Sequence, residues 1–199
     1  MPRRAKPELS PSLPRAGVRV TRTAIGTHNV ELWDNTMPVS WLSNFTRAAT
    51  RLNLDIVRGT ARRNAERCWS AKFEIRGADE TELKQVDFLA LTREAGDAQL
   101  GSNLELKTFD LSRSAERANV LSLSIRARDR VGFLASLLGH LAGFVLFPEE
   151  IRIDTHYDEA RDALWLSAVG GMSPAPEIER ALRASLLDCT RDRPSIPRP

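Results

Sequence analysis

The sequence has few cysteines and no hydrophobic run long enough to cross a lipid bilayer. Its two cysteines, Cys68 and Cys189, cannot form a disulfide framework, and neither has a second cysteine or a histidine at metal-site spacing. The basic residues at the start of the chain precede no hydrophobic segment, which a secretory signal would require. These absences predict a cytoplasmic protein without a bound metal and without contact with a membrane.

The sequence also lacks recognisable catalytic machinery. Its three histidines, His28, His140 and His156, are widely separated, and no nucleophile–base pair or carboxylate pair forms around them. It contains no phosphate-binding loop and no dinucleotide fingerprint. We therefore predict that the protein is not an enzyme and uses no cofactor.

The body of the chain carries no excess of basic charge. The formal net charge is +3, while residues 1–15 alone carry +3 and residues 189–199 carry +2, so the body between them carries −2. Both ends are rich in proline and are predicted to be disordered tails. A nucleic-acid-binding protein normally concentrates basic charge on a folded face, so we expect no nucleic-acid partner.

What the sequence does contain is an internal repeat of about 95 residues. The segment 37–42 aligns with 129–134 at an offset of 92, and Trp69 aligns with Trp165 at an offset of 96. The hydrophobic periodicity of each copy predicts strand, helix, strand, strand, helix. These elements are predicted at about 28–34, 38–52, 54–63, 66–76 and 80–94 in the first copy, and at about 119–127, 130–142, 149–157, 162–171 and 174–188 in the second.

Each copy needs one more strand to complete the split βαβ, or ferredoxin-like, plan. A segment at about 103–111 is predicted to complete the first copy. The residues after 188 are too polar and proline-rich for a central strand. We therefore predict that the N-terminal segment 17–25 completes the second sheet.

The predicted fold class is α+β, with two ferredoxin-like βαββαβ units in tandem. The predicted divisions of the chain are a basic tail at 1–15, a first unit at 16–112, a second unit at 117–188 and a tail at 189–199.

The clearest functional pattern joins the first strand of the second copy to its first helix. It consists of Arg128, Asp129, Arg130, Val131, Gly132, Phe133 and Leu134. Asp129 is placed to cap the helix by accepting hydrogen bonds from its first amides. Gly132 keeps the backbone bare, so that a small anionic group can approach those amides. The pattern predicts a ligand-binding loop or, alternatively, a plain cap in which Gly132 only permits close packing.

These residues resemble an ACT domain, and in particular the ACT pairs at the C-terminus of bacterial nitrogen-regulatory uridylyltransferases. The motif Asp-Arg-x-Gly-Phe-Leu begins at Asp129, with Val131 where proline is usual. The further matches are Ile153, Thr155, Asp158 and Trp165. The first copy departs from the pattern, because Ser40 stands where the glycine would be.

The resemblance implies a regulatory protein that binds a small amino-acid-like ligand at residues 128–134 and signals to an unidentified protein partner. The ligand would lie between this loop and a neighbouring unit, which is either the first copy or a second chain in a homodimer. The degenerate first copy favours the alternative of an ACT-fold structural or interaction module without a ligand.

Overall fold

The computed structural model describes residues 16–64, 68–77, 83, 85–93 and 104–190. The strands are β1 (Ala16–Arg22), β2 (His28–Asp34), β3 (Asp55–Arg63), β4 (Trp69–Arg76), β5 (Thr108–Arg113), β6 (Leu121–Arg128), β7 (Leu146–His156) and β8 (Glu159–Ala168). The helices are α1 (Trp41–Arg51), α2 (Phe88–Arg93), α3 (Phe133–Gly143) and α4 (Pro176–Thr190). The predicted tail at 1–15, residues 191–199 of the predicted tail at 189–199, and part of the predicted helix at 80–94 lie outside the described residues. Cys189 and Thr190, predicted as the start of the tail, belong to α4 instead.

All eight strands belong to one antiparallel sheet, in the order β1-β2-β4-β3-β7-β8-β6-β5. We call residues 16–93 the first half and residues 104–190 the second half. Read from its outer edge inwards, each half has the same order, because β1-β2-β4-β3 corresponds to β5-β6-β8-β7. The halves meet where β3 pairs with β7, from Arg58↔Asp154 to Arg62↔Glu150. The predicted α+β class is therefore confirmed, and one sheet runs through both halves.

One face of the sheet packs against the helices and forms the core. Alternate residues of β2, β4 and β6 are buried, as the period-two pattern requires. On α1, Phe45 stacks on Phe73 of β4 with ring centroids 5.0 Å apart, and Trp41 meets Trp69 edge-on at 5.2 Å. These tryptophans are core residues. Within the described part of the chain, no helix combines the length and apolar character needed to span a bilayer.

The prediction that residues 17–25 complete the second sheet is wrong. Strand β1 pairs only with β2, from Ala16↔Asp34 to Arg22↔His28. The second half is completed by β5, which pairs with β6 and not with a strand of the first half as expected for 103–111. Both pairings are hairpins between neighbouring strands, and closing a short loop costs less entropy than a long crossing. The strand that completes each half is therefore the first strand of that half, β1 in the first and β5 in the second.

A glycine on β1 makes room for an aromatic side chain of β2. A Cβ at Gly17 would lie 2.2 Å from Cζ2 of Trp33, much closer than two carbon atoms can approach. Gly17 faces Trp33 in the β1–β2 register, so the indole lies over the bare backbone of the edge strand. This packing requires glycine at position 17.

Candidate functional site

The loop between β6 and α3 opens onto a cleft between the two halves of the chain. The cleft is partly open to solvent, and its cavity volume is about 30 Å³. The first half contributes Thr46 and Thr50 of α1, and residues 54–56 at the start of β3. The second half contributes the loop, the first turn of α3, and inward-facing residues of β7 and β8. The predicted ligand loop therefore lies where two halves of one sheet meet.

Most of the predicted site residues line this cleft. Those that do so are Asp129, Arg130, Gly132, Phe133 and Leu134. Arg128 is at the exposed end of β6, where it pairs in register with Glu159. Val131 is 44% exposed. Neither Arg128 nor Val131 is among the described residues that line the cleft.

The helix begins later than the sequence predicted, and Asp129 does not cap it. The N-cap is Gly132, whose φ of +84° is left-handed and cannot continue a right-handed helix. Helix α3 therefore starts at Phe133 rather than near residue 130. The Asp129 carboxylate accepts hydrogen bonds from the Thr155 hydroxyl and the Arg130 backbone N–H.

The bare backbone at Gly132 faces a side chain of the first half. A Cβ at this position would lie 3.0 Å from Cγ2 of Thr50. The Thr50 hydroxyl donates to the Thr46 carbonyl at 2.8 Å, so the methyl group is the part of Thr50 that approaches the glycine. Gly132 thus serves the close packing of α1 against the loop as well as the left-handed turn.

The start of α3 presents backbone donors to the cleft. The Phe133 amide donates to the Arg130 carbonyl at 3.0 Å, and the Ser136 amide donates to the Gly132 carbonyl at 2.9 Å. Helix geometry leaves first-turn amides without intrahelical acceptors, and a glycine N-cap supplies no side-chain acceptor. Leu134 and Ala135, which carry such amides, both line the cleft. This end of the helix favours an anionic group.

The lining of the cleft also includes three acidic side chains. Asp55, Asp129 and Asp162 all line it. Asp162, on β8, is only 3% exposed, and its Oδ1 has no hydrogen-bond partner among the described residues. Its carboxylate accepts one hydrogen bond, from the backbone N–H of Asp154 on β7. An acidic group this deeply buried normally has a partner for each polar atom.

Burial changes the protonation of these carboxyls. Burial is the largest influence on Asp162 and raises its pKa to about 7, helped by the charges of Asp129 and Asp154 and opposed by the Asp154 hydrogen bond. Burial and then the charge of Asp55 raise the pKa of Asp129, against smaller lowering effects of Arg76 and of its own hydrogen bonds. Arg76 pairs with Asp55 at 2.5 Å. The cleft therefore combines helix amides with carboxyls that are costly to ionise.

Asp162 was missed by the sequence reasoning, although the sequence contains a signal for it. Its neighbours at period two, Ala160 and Leu164, are buried apolar residues of the same strand. An aspartate in such a row is unusual, because burial of an acid without a partner costs free energy. Its place opposite the start of α3 depends on tertiary structure.

The corresponding loop of the first half is closed by its own side chains. Asp34, with a side chain 1% exposed, accepts from the backbone N–H and the hydroxyl of Thr36, both at 2.7 Å, and from Arg93 Nη2 at 2.9 Å. Burial raises the pKa of Asp34, but these hydrogen bonds and the Arg93 charge outweigh it and hold the pKa below its ordinary value. Ser40 precedes α1 and makes no side-chain cap hydrogen bond.

Trp165 and His156, which the sequence analysis also named, lie on the sheet away from the cleft. Trp165 lies half-buried on the sheet face away from the core, with the guanidinium groups of Arg117 and Arg152 at 5.4 and 4.9 Å from its ring centroid. Both arginines also hydrogen-bond to Glu150. His156 is exposed at the end of β7. Among the described residues, no group of three or more acidic, histidine or cysteine side chains could hold a metal ion.

Comparison with known proteins leaves the function to be argued from this site. No protein-family model matches the sequence, and no curated protein matches it. The cleft and its lining therefore provide the basis for the function proposed below.

Proposed function

We propose that the protein is a cytoplasmic regulatory protein that binds an amino acid in the cleft and signals to a protein partner. We further propose that its halves are two ACT-like, ferredoxin-like units in tandem. Strand order supports this, because each half becomes a βαββαβ unit if its leading strand is counted as its last. In this scheme β1 and β5 occupy the edge position that the last strand of a βαββαβ unit would hold.

One observation carries the proposal: the predicted loop and the first turn of α3 line a cleft whose other wall belongs to the first half. A ligand there contacts both halves at once, so its binding favours the arrangement of the halves that fits it best. Such a differential contact is the physical requirement for a regulatory signal. The signal would pass through the shared β3–β7 pairing.

The expected affinity is modest. A hydrogen bond between a ligand carboxylate and an α3 amide contributes roughly 1.5–3 kcal/mol, and the helix end adds about 0.3–1 kcal/mol. Two or three such contacts, after the entropy cost of association, correspond to a dissociation constant of roughly micromolar to millimolar. This range suits the sensing of an abundant metabolite.

The test is a calorimetric screen of the twenty amino acids against the wild type, Gly132→Ala and Gly26→Ala. Both glycines have φ of +84°, so both variants carry the same backbone strain of about 1–2 kcal/mol. Only the Cβ at position 132 meets a neighbour, Thr50, whereas nothing lies within 4 Å at position 26. We expect Gly132→Ala to weaken binding by roughly tenfold or more, the loss of one good hydrogen bond. Gly26→Ala should bind as the wild type does.

Equal binding by the two glycine variants would show that the ligand carboxylate is held elsewhere. Absence of binding to the folded wild type would favour the second candidate, a structural or interaction module of the same architecture. The closed loop around Asp34 in the first half is the observation that favours this candidate.

A further inference from the structure

We infer that Asp162 is the ammonium-binding residue of the cleft, so that the ligand carries a primary ammonium group close to its anionic group. This inference rests on the proposed function and deepens it by naming the residue that binds the ammonium group and so selects the class of ligand. The class is the zwitterion with a free amino group, as opposed to an N-acylated or deaminated carboxylic acid. Asp162 then decides which metabolites the cleft accepts.

The first argument is the cost of Asp162 to the fold. Its carboxyl is 3% exposed, and Oδ1 has no partner among the described residues. It lies in a strand row with Ala160, Leu164 and Leu166, all of them buried. A side chain that breaks an apolar pattern without a compensating contact is typical of a functional position.

The second argument is the charge around Asp162. The charges that act on Asp162 are those of Asp129 in the loop and Asp154 of β7, and Asp55 of β3 lines the same cleft. Of the basic residues nearby, Arg76 pairs with Asp55 at 2.5 Å and Arg58 pairs with Asp154 at 3.0 Å, and Arg130 of the loop also lines the cleft. A cation is therefore the complementary partner of this side of the cleft.

The third argument distinguishes an organic ammonium group from a metal ion. Among the described residues, no three side chains of the required types could hold a metal. An ammonium group needs only hydrogen-bond acceptors and brings three donors of its own. The α3 amides line the same cleft and favour an anion, so one small zwitterion matches both sides.

The experiment compares the wild type, Asp162→Asn and Asp110→Asn by calorimetric titration. Asparagine keeps the size of the side chain and an oxygen for the Asp154 amide, but removes the charge. Asp110 is an exposed aspartate on β5 and provides the matched control. The probes are the twenty L-amino acids, the N-acetyl derivative of each one that binds, ethylamine and propionate.

We expect Asp162→Asn and N-acetylation each to weaken binding by roughly 10- to 100-fold, the value of one charge-assisted hydrogen bond. Because both changes remove the same contact, they should not add: Asp162→Asn should leave binding of the N-acetyl derivative unchanged. Asp110→Asn should bind all probes as the wild type does. Wild-type affinity should also rise by up to roughly tenfold from pH 6 to pH 8 as Asp162 ionises, and Asp162→Asn should lose this dependence.

The outcomes separate this inference from the proposed function. Amino acids that bind equally well to the wild type and to Asp162→Asn would overturn the inference and leave the proposed function standing. Binding of ethylamine alone, lost in Asp162→Asn, would support the ammonium site and overturn amino-acid binding. A folded wild type that binds none of the probes would overturn both.

Discussion

Replacing Asp162 with asparagine should stabilise the protein at neutral pH, although the change falls in its core. The pKa of Asp162 rises from 3.8 to about 7 on folding, mainly through burial. As pH increases through this window, the unfolded chain ionises first, so the free energy of unfolding falls. At about 1.4 kcal/mol per pKa unit, the full loss is about 4 kcal/mol, of which about 3 kcal/mol falls between pH 4 and pH 7. Asparagine does not titrate and avoids this loss.

The measurement is urea denaturation at pH 5, 6, 7 and 8. The stability advantage of Asp162→Asn over the wild type should grow by about 3 kcal/mol from pH 5 to pH 8, because most of the titration falls in this interval. Asp110→Asn makes the same chemical change at an exposed strand position. Its free energy of unfolding should therefore change with pH as that of the wild type does. The reasoning would be refuted if the stability difference between Asp162→Asn and the wild type did not change with pH. It would also be refuted if Asp162→Asn were less stable than the wild type at pH 8. Asp162 would then be a satisfied structural residue.

Two further predictions concern the packing and the closed loop of the first half. Gly17→Ala should cost about 1–3 kcal/mol of unfolding free energy in urea, because its Cβ would lie 2.2 Å from Trp33. Gly143→Ala, with nothing within 4 Å, should be neutral or up to about 1 kcal/mol stabilising, and equal losses at both sites would contradict this packing. Arg93→Ala removes the guanidinium 2.9 Å from the buried Asp34 and should cost about 1–3 kcal/mol at pH 7. It should also raise the pKa of Asp34, so that acid unfolding monitored by circular dichroism begins at higher pH; an unchanged acid transition would count against this ion pair.

The sequence predicts the inner elements of each half well, because their patterns reflect local burial. Leu121, Leu123 and Ile125 alternate with polar residues, and β6 runs through them as predicted. The predicted pairings of the edge strands β1 and β5 were wrong. The hydrophobic alternation of an edge strand is weak and is compatible with pairing in either half of the sheet. Strand β8 begins three residues before its predicted start, because the β7–β8 turn places Tyr157 at φ +58°, a conformation that its residue type does not signal.

The candidate site was predictable only in part, for a different reason. The loop is local, and Gly132 marks it in the sequence. The opposite wall comes from α1 and β3, which approach the loop through the β3–β7 pairing, whose partners are about ninety residues apart in the chain. No periodicity reveals that approach, and so neither Thr50 nor Asp162 could be placed in a common cleft beforehand.

Under the proposed scheme of two tandem units, the β3–β7 junction takes the place of a contact between two subunits. Two separate subunits that met through equivalent strands would assemble only above some concentration, and identical sequences would force identical clefts on them. Covalent connection removes both constraints, since association no longer depends on abundance and each half can change without altering the other. The glycine turn at Gly132 and the closed loop around Asp34 show that the two halves differ at this loop.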